Sequence, residues 1–177
     1  MGTGIAVIDE RGSKIGGCAG IRLASTIWAE VEYKSVLSGG VERMEGLVDY
    51  VIACVSLGDG SVIGYMIQPK SITVAGPGDL PKSLGEKARS KIAAAIEKAR
   101  GHVEANYGIT PVKYRVKGVE DSTLYIIAYL DWKPDNSNKT LYDVEAVVFE
   151  FNYENLSIIN AYRETITIVD TSNLNGQ

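Results

Sequence analysis

The sequence contains only one histidine, His102, and two cysteines, Cys18 and Cys54, in 177 residues. A Ser–His–Asp triad or a multi-histidine metal centre is therefore close to excluded, because both depend on imidazole groups. The two cysteines are too far apart in the sequence to form a paired-thiol redox or zinc motif. Cys54 lies in an apolar run typical of a buried side chain, and its pairing with Cys18 is left open. We predict no catalytic residue, no metal site and no cofactor.

The chain has no excess of basic residues. It contains 18 Lys and Arg residues against 22 Asp and Glu residues, which gives a formal net charge of -4. Nucleic-acid binding is therefore not expected, because proteins that bind phosphate backbones carry clustered positive charge. The most apolar stretch, residues 47–68, contains Asp49 and a Gly58-Asp59-Gly60 turn, and both are energetically unfavourable inside a lipid bilayer. We interpret it as a β-hairpin and expect no membrane partner.

The sequence carries no clear signal of location. Charged residues between positions 9 and 14 interrupt the first apolar run before the core of a secretory signal could form. A cytoplasmic location is therefore the default expectation. Two glycosylation sequons, which begin at Asn138 and Asn155, leave an extracellular or virion location open.

One long helix is predicted over residues 84 to 107. Ser83 and Glu86 have the spacing of a capping box, and Gly108 stands where a left-handed C-cap belongs. Apolar residues recur at helical spacing between these ends: Leu84, Ala88, Ile92, Ala95, Ile96, Ala99, Val103 and Tyr107. Because alanine side chains are small, we expect this stripe to be buried in close contact with a sheet.

Four strands are predicted after the helix. In residues 112–117, Val and Tyr alternate with Lys and Arg, which is typical of an edge strand with one solvated face. The runs 124–132 and 142–152 are apolar on both faces, and a long run over 157–169 follows. Strands that are apolar on both faces must be covered by other parts of the protein on both faces. The predicted fold class is therefore α+β, with the helix packed on an antiparallel sheet.

The first half of the chain also contains strand-like runs, at 5–8, 29–36, 47–57 and 61–74. Residues 15–28 have helical spacing of apolar residues, so a short helix is an alternative there, although three glycines oppose it. We expect the N-terminal strands either to cover the second face of the sheet or to extend it. The chain is predicted to be a single α+β domain, with a two-part division into 1–76 and 82–177 as the alternative.

A tyrosine-rich composition, with ten tyrosines against two phenylalanines, is the feature that bears most on function. Tyrosine suits adaptable protein surfaces, so the first hypothesis is a non-catalytic binding or self-assembly protein that acts through a tyrosine-rich sheet surface. The expected partner is a second copy of the chain or another protein. The alternative is a small-molecule-binding protein or enzyme of the open-cone α+β kind, with a pocket between helix and sheet. Its predicted ligand-binding residues are Tyr125, Tyr129, Asp131 and Glu145.

Overall fold

A computed structural model of the chain describes residues 5–8, 14–35, 38–120, 122–132 and 141–169; the sequon at Asn138 lies outside them. The described residues form mostly antiparallel strands together with one α-helix, so the class is α+β or mostly β. The chain divides into two compact units. The first consists of Met1–Lys70 with Ser83–Gly85, and the second consists of Ser71–Lys82 with Glu86–Gln177. The single-domain organisation stays a prediction.

The first unit is built from four described strands. These are β1 Ile5–Ile8, β2 Lys14–Lys34, β3 Val41–Ser56 and β4 Val62–Pro69. Each is antiparallel to its neighbour in the order β1-β2-β3-β4. The predicted hairpin around residues 58–60 is confirmed, because β3 and β4 flank that turn and Gly60 adopts a φ of +70°. Glycine is favoured at such a left-handed position since it has no Cβ atom.

Strand β2 covers the segment for which the sequence allowed a short helix, so that alternative is wrong. The glycines of this segment stand where the neighbouring strand comes close. A Cβ atom added at Gly16 would lie 2.5 Å from the Val55 carbonyl oxygen, and one added at Gly20 would lie 1.6 Å from the Tyr50 hydroxyl oxygen. The absence of a side chain thus permits the close approach of β3.

Cys18 and Cys54 form a disulfide bond. They are directly opposite each other in the β2–β3 ladder, with their Cα atoms 3.9 Å apart. Both residues are buried. The pairing that the sequence left open is therefore present, and it links the two longest strands of the first unit.

The second unit contains five described strands: β5 Ile72–Val74, β6 Lys113–Glu120, β7 Thr123–Tyr129, β8 Leu141–Asn152 and β9 Ile158–Val169. They are antiparallel in the order β5-β6-β7-β8-β9. The single strand predicted over residues 61–74 is in fact two strands, β4 and β5. The break follows Pro69, which has no amide hydrogen to continue a ladder.

The prediction that the lysine-rich strand β6 lies at an edge is wrong. Residues 114–116 of β6 pair with β5, while the other side of β6 pairs with β7. The alternating charges of β6 reflect a solvated face rather than a free edge. Within the described part of the second unit, β9 pairs only with β8 and is the long strand at an edge.

Helix α1 spans Glu86–Tyr107, two residues shorter at its start than predicted. Gly85 has a φ of +80° and separates α1 from a 3-10 turn, so the right-handed helix begins only after it. The predicted C-cap is confirmed by the φ of +66° at Gly108. Seven of the eight residues of the predicted stripe are buried, as expected: Leu84, Ala88, Ile92, Ala95, Ile96, Ala99 and Val103.

Three side chains of α1 contact residues of β8 or of the segment that follows it. The His102 ring meets the Phe149 ring edge-on, with 5.3 Å between the ring centroids. Lys91 Nζ donates a hydrogen bond to the Tyr153 carbonyl oxygen at 3.0 Å, and Lys98 Nζ donates one to that of Leu156 at 2.8 Å. His102 is half-buried, with its ring against that of Phe149.

Candidate functional site

The strand registers assign four tyrosines of the second unit to one face of the sheet. Directly opposed residues of antiparallel strands share a face, and successive residues alternate between faces. The pairs Tyr129↔Ala146, Val148↔Tyr162 and Tyr142↔Ile168 therefore place their tyrosines on a common face. We call this surface the tyrosine face; its apolar and aromatic residues are Tyr125, Ile127, Tyr129, Tyr142, Val144, Ala146, Val148, Tyr162, Ile166 and Ile168, and Glu150 and Glu164 also lie on it.

An apolar and aromatic cluster occupies one end of the tyrosine face. Tyr129 is buried, and its ring meets the Trp132 ring edge-on, with 5.0 Å between their centroids. The Trp132 ring in turn lies 6.1 Å from the Tyr142 ring. Lys113 Nζ lies 4.3 Å from the centroid of Trp132, a distance typical of a cation–π contact. These contacts fix the aromatic rings relative to one another.

Asp131 and Glu145 meet at the end of the β7–β8 ladder. Asp131 is exposed, and its Oδ1 atom accepts a hydrogen bond from the Glu145 backbone N–H at 3.1 Å. Leu130 N–H donates to the Glu145 carbonyl oxygen at 2.8 Å, which continues the ladder by one bond. Asp131 therefore satisfies a backbone donor on the neighbouring strand, a role that side-chain carboxylates commonly have at the ends of elements.

The Glu145 carboxylate ties β8 to β9. Its Oε2 atom accepts a hydrogen bond from Arg163 Nε at 2.8 Å, and its Oε1 atom accepts one from Thr165 Oγ1 at 2.6 Å. The bond from Thr165, followed by that from Arg163, holds the pKa of the Glu145 carboxyl below its usual range. Thr167 Oγ1 donates in the same way to Asp143 Oδ1 at 2.6 Å. Two threonines of β9 thus have matched roles.

The four predicted ligand-binding residues are divided between the two faces of the sheet. Tyr125 and Tyr129 lie on the tyrosine face, where Tyr125 is half-buried. Glu145 precedes Ala146, so its side chain is directed to the opposite face. The structure therefore brings Tyr125 together with Tyr129, and Asp131 together with Glu145, but it does not bring all four to one face. Their role in ligand binding stays a prediction.

Strand β9 carries exposed apolar side chains, and nothing in its sequence distinguished it from the covered strands. Exposed apolar side chains occur at both of its ends and in the middle: Ile159 is 56% exposed, Tyr162 42% and Val169 58%. No strand within the described residues pairs with its outer edge. The sequence predicted a strand over residues 157–169, but only the pairing of the strands shows that this strand lies at the end of the ladder.

A buried hydroxyl group lies on the face opposite the tyrosine face. Tyr114 of β6 is 2% exposed, and its hydroxyl oxygen has no hydrogen-bond partner among the described residues. Burial raises the pKa of the Tyr114 phenol to about 12, because the charged form would lose its hydration. Arg100 lowers this pKa, whereas Glu97 and Glu104 raise it further. Sequence reasoning placed Tyr114 only on a strand and did not identify its hydroxyl.

The described residues contain no group of three His, Cys, Asp or Glu side chains arranged to hold a metal ion. Within the same part of the chain, no helix has both the length and the apolar character needed to cross a membrane. Comparisons of the chain with protein-family models, with curated proteins and with solved structures find no match.

Proposed function

We propose that this chain is a non-catalytic self-assembly protein that pairs with a second copy of itself through the outer edge of β9, at the border of the tyrosine face. The observation that carries the proposal is a long strand of twelve residues whose outer edge has no partner among the described residues. The unpaired N–H and C=O groups of such an edge form a template for another strand.

The side chains of β9 do little to prevent this pairing. Proteins protect free edges with lysines, prolines or very short strands. β9 contains neither lysine nor proline, and Thr and Ile, which favour strands, make up half of its residues. Its one basic residue, Arg163, is held by Glu145 of the adjacent strand. Tyr162 adds an exposed aromatic ring on the tyrosine face, where aromatic residues favour association.

The proposal includes the packing of α1 on the face opposite the tyrosine face. The buried alanine stripe and the contact of His102 with Phe149 support this arrangement, since Phe149 follows Val148 and is therefore directed away from the tyrosine face. The bonds from Lys91 and Lys98 to backbone carbonyls after β8 support it as well. Most of the tyrosine face is also buried, so the outer edge of β9, with the exposed Tyr162 beside it, is the surface left for assembly.

Size-exclusion chromatography with light scattering tests the assembly. We expect a mass twice the 19.1 kDa of one chain, and a melting temperature that rises with protein concentration. Tyr162→Lys should give a monomer, because it replaces an exposed aromatic ring by a lysine, the residue that proteins commonly use to protect free edges from pairing. Ile109→Lys is the matched control: Ile109 is similarly exposed, at 39%, but lies outside every strand. A wild-type chain that stays monomeric at high concentration would contradict the proposal.

A second candidate function, small-molecule binding between helix and sheet, is favoured by the buried hydroxyl of Tyr114. Buried polar atoms almost always have a hydrogen-bond partner, so an unpartnered one suggests a water or ligand that completes the bond. A thermal-shift screen tests this candidate, because a ligand at a hundred times its dissociation constant stabilises the folded state by about 2.7 kcal/mol. A ligand that shifts the wild type but not Tyr114→Phe would support it.

The substitution Tyr114→Phe should also change the stability of the protein when no ligand is bound. Tyr114→Phe is expected to raise the free energy of unfolding by about 1 kcal/mol, because it removes a buried hydroxyl with no partner. Tyr33→Phe is the control: the Tyr33 hydroxyl donates to Glu42 Oε2 at 3.0 Å, so its removal should lower that free energy by about 1 kcal/mol. Urea unfolding measures both. A loss of stability in Tyr114→Phe would mean that the hydroxyl has a partner.

A further inference from the structure

We infer that the two copies pair in one particular register, in which Thr165 lies directly opposite Thr165 of the second copy. This inference rests on the proposed self-assembly through β9. It starts from the regular part of the strand. A bulge separates Ile158 from Asn160, since Ile158 is opposite Phe151 and Asn160 is opposite Glu150. From Asn160 to Val169 the ladder with β8 is unbroken. A second ladder on the outer edge is therefore most regular over these residues.

Symmetry restricts how this edge can pair with itself. Two antiparallel copies that extend one sheet are related by a two-fold axis perpendicular to the sheet, and both use the same patch. Rotation about this axis places the tyrosine face of both copies on the same side of the extended sheet. Directly opposed residues must then share a face, so both residue numbers are odd or both are even. Each allowed register is defined by the single residue that lies opposite itself.

Charge and ladder length distinguish the allowed registers. A centre at Arg163 or at Glu164 places two like charges directly opposite each other, which is destabilising. A centre at Tyr162 reaches the bulge and restricts the regular ladder to residues 160–164, and a centre at Ile166 restricts it to 163–169. A centre at Thr165 uses residues 161–169 and keeps like charges apart. It is the longest register that satisfies both conditions.

The pairs formed in the Thr165 register are of kinds that stabilise sheets. Tyr162 lies opposite Ile168 of the second copy, an aromatic side chain against a β-branched one. Thr165 lies opposite its own counterpart, and Arg163 lies opposite Thr167. Glu164 lies opposite Ile166 at an exposed position, where its carboxylate keeps contact with water. The pairs on the tyrosine face join the two tyrosine faces into one continuous surface.

Cysteine cross-linking tests the register. The native cysteines are bonded to each other, so an introduced cysteine is the only free thiol. Thr165→Cys is expected to form an intermolecular disulfide under mild oxidation, because directly opposed Cβ atoms lie within about 5.5 Å. The monomer band on a non-reducing gel should be replaced by a dimer band. Thr167→Cys is the matched control: both threonines are exposed and donate to an acid of β8, but Thr167 faces Arg163.

The remaining outcomes separate the register from the assembly. Arg163→Cys and Glu164→Cys report the two registers that charge excludes, which would cover residues 160–166 and 160–168. Efficient linking of either variant, without linking of Thr165→Cys, would overturn the Thr165 register while the dimer seen by light scattering remained. Absence of linking in all four variants, together with a monomeric wild type, would overturn both the register and the proposed assembly.

Discussion

Reduction of the Cys18–Cys54 disulfide is expected to lower the free energy of unfolding by about 3 to 4 kcal/mol. The bond joins residues separated by 36 positions, so it removes much conformational freedom from the unfolded chain. In the folded state the β2–β3 ladder already holds the two residues opposite each other, so its loss mainly affects the unfolded state. Urea unfolding with and without a thiol reductant measures the difference.

A variant with both cysteines replaced serves as the control for this prediction. Cys18→Ala/Cys54→Ala should show a loss of at least the same size, and its unfolding should not respond to the reductant. The loss should be somewhat larger than in reduced wild type, because alanine leaves a small cavity where Cys54 is fully buried. Equal unfolding midpoints for the oxidised and reduced wild type would show that the bond does not contribute to stability.

The helix was predictable because its signals are local. The apolar stripe and Gly108 fall within α1 or immediately after it, and together they indicate its buried face and its last turn. Only the start was misplaced, because the spacing of Ser83 and Glu86 suits a capping box. The left-handed conformation of Gly85 overrides that spacing, and no neighbouring residue makes this conformation evident.

The edges of the sheet were not predictable, because pairing depends on residues that are distant in the chain. Strand β6 looks like an edge from its own alternation of charge, but the three residues of β5, about forty positions earlier, pair with it. A strand as short as β5 has no period that a sequence pattern can detect. Among the described residues of the second unit, the long strand at an edge is instead β9, whose sequence resembles that of a covered strand.

The candidate site was only partly predictable for a similar reason. The alternation along β7 correctly indicates that Tyr125 and Tyr129 share a face. The position of Glu145 depends on the β7–β8 register, which pairs Tyr129 with Ala146 and so turns Glu145 to the other face. A change of one residue in this register would reverse every side chain of β8. The partners of Glu145 on β9 lie 18 and 20 residues further along the chain.

Replacement of Ala95 by leucine is expected to lower the free energy of unfolding by about 1 to 3 kcal/mol. Ala95 is fully buried in the middle of α1 and is adjacent to the buried Ile96. The larger side chain must displace its neighbours, because protein interiors have few voids that could hold three additional carbon atoms. Ala99→Leu, one turn further along the same stripe, should have a loss of similar size. Thermal or urea unfolding of the two variants gives the values.

Ala94→Leu is the matched control, since it makes the same chemical change at the adjacent position of the same helix. Ala94 is exposed, and leucine is nearly as good a helix former as alanine. Its effect on the free energy of unfolding should therefore stay within about 0.5 kcal/mol. The contrast between Ala94 and Ala95 isolates packing from helix propensity. Equal tolerance of leucine at both positions would show that the alanine stripe does not pack tightly, and the proposed position of α1 on the sheet would then be wrong.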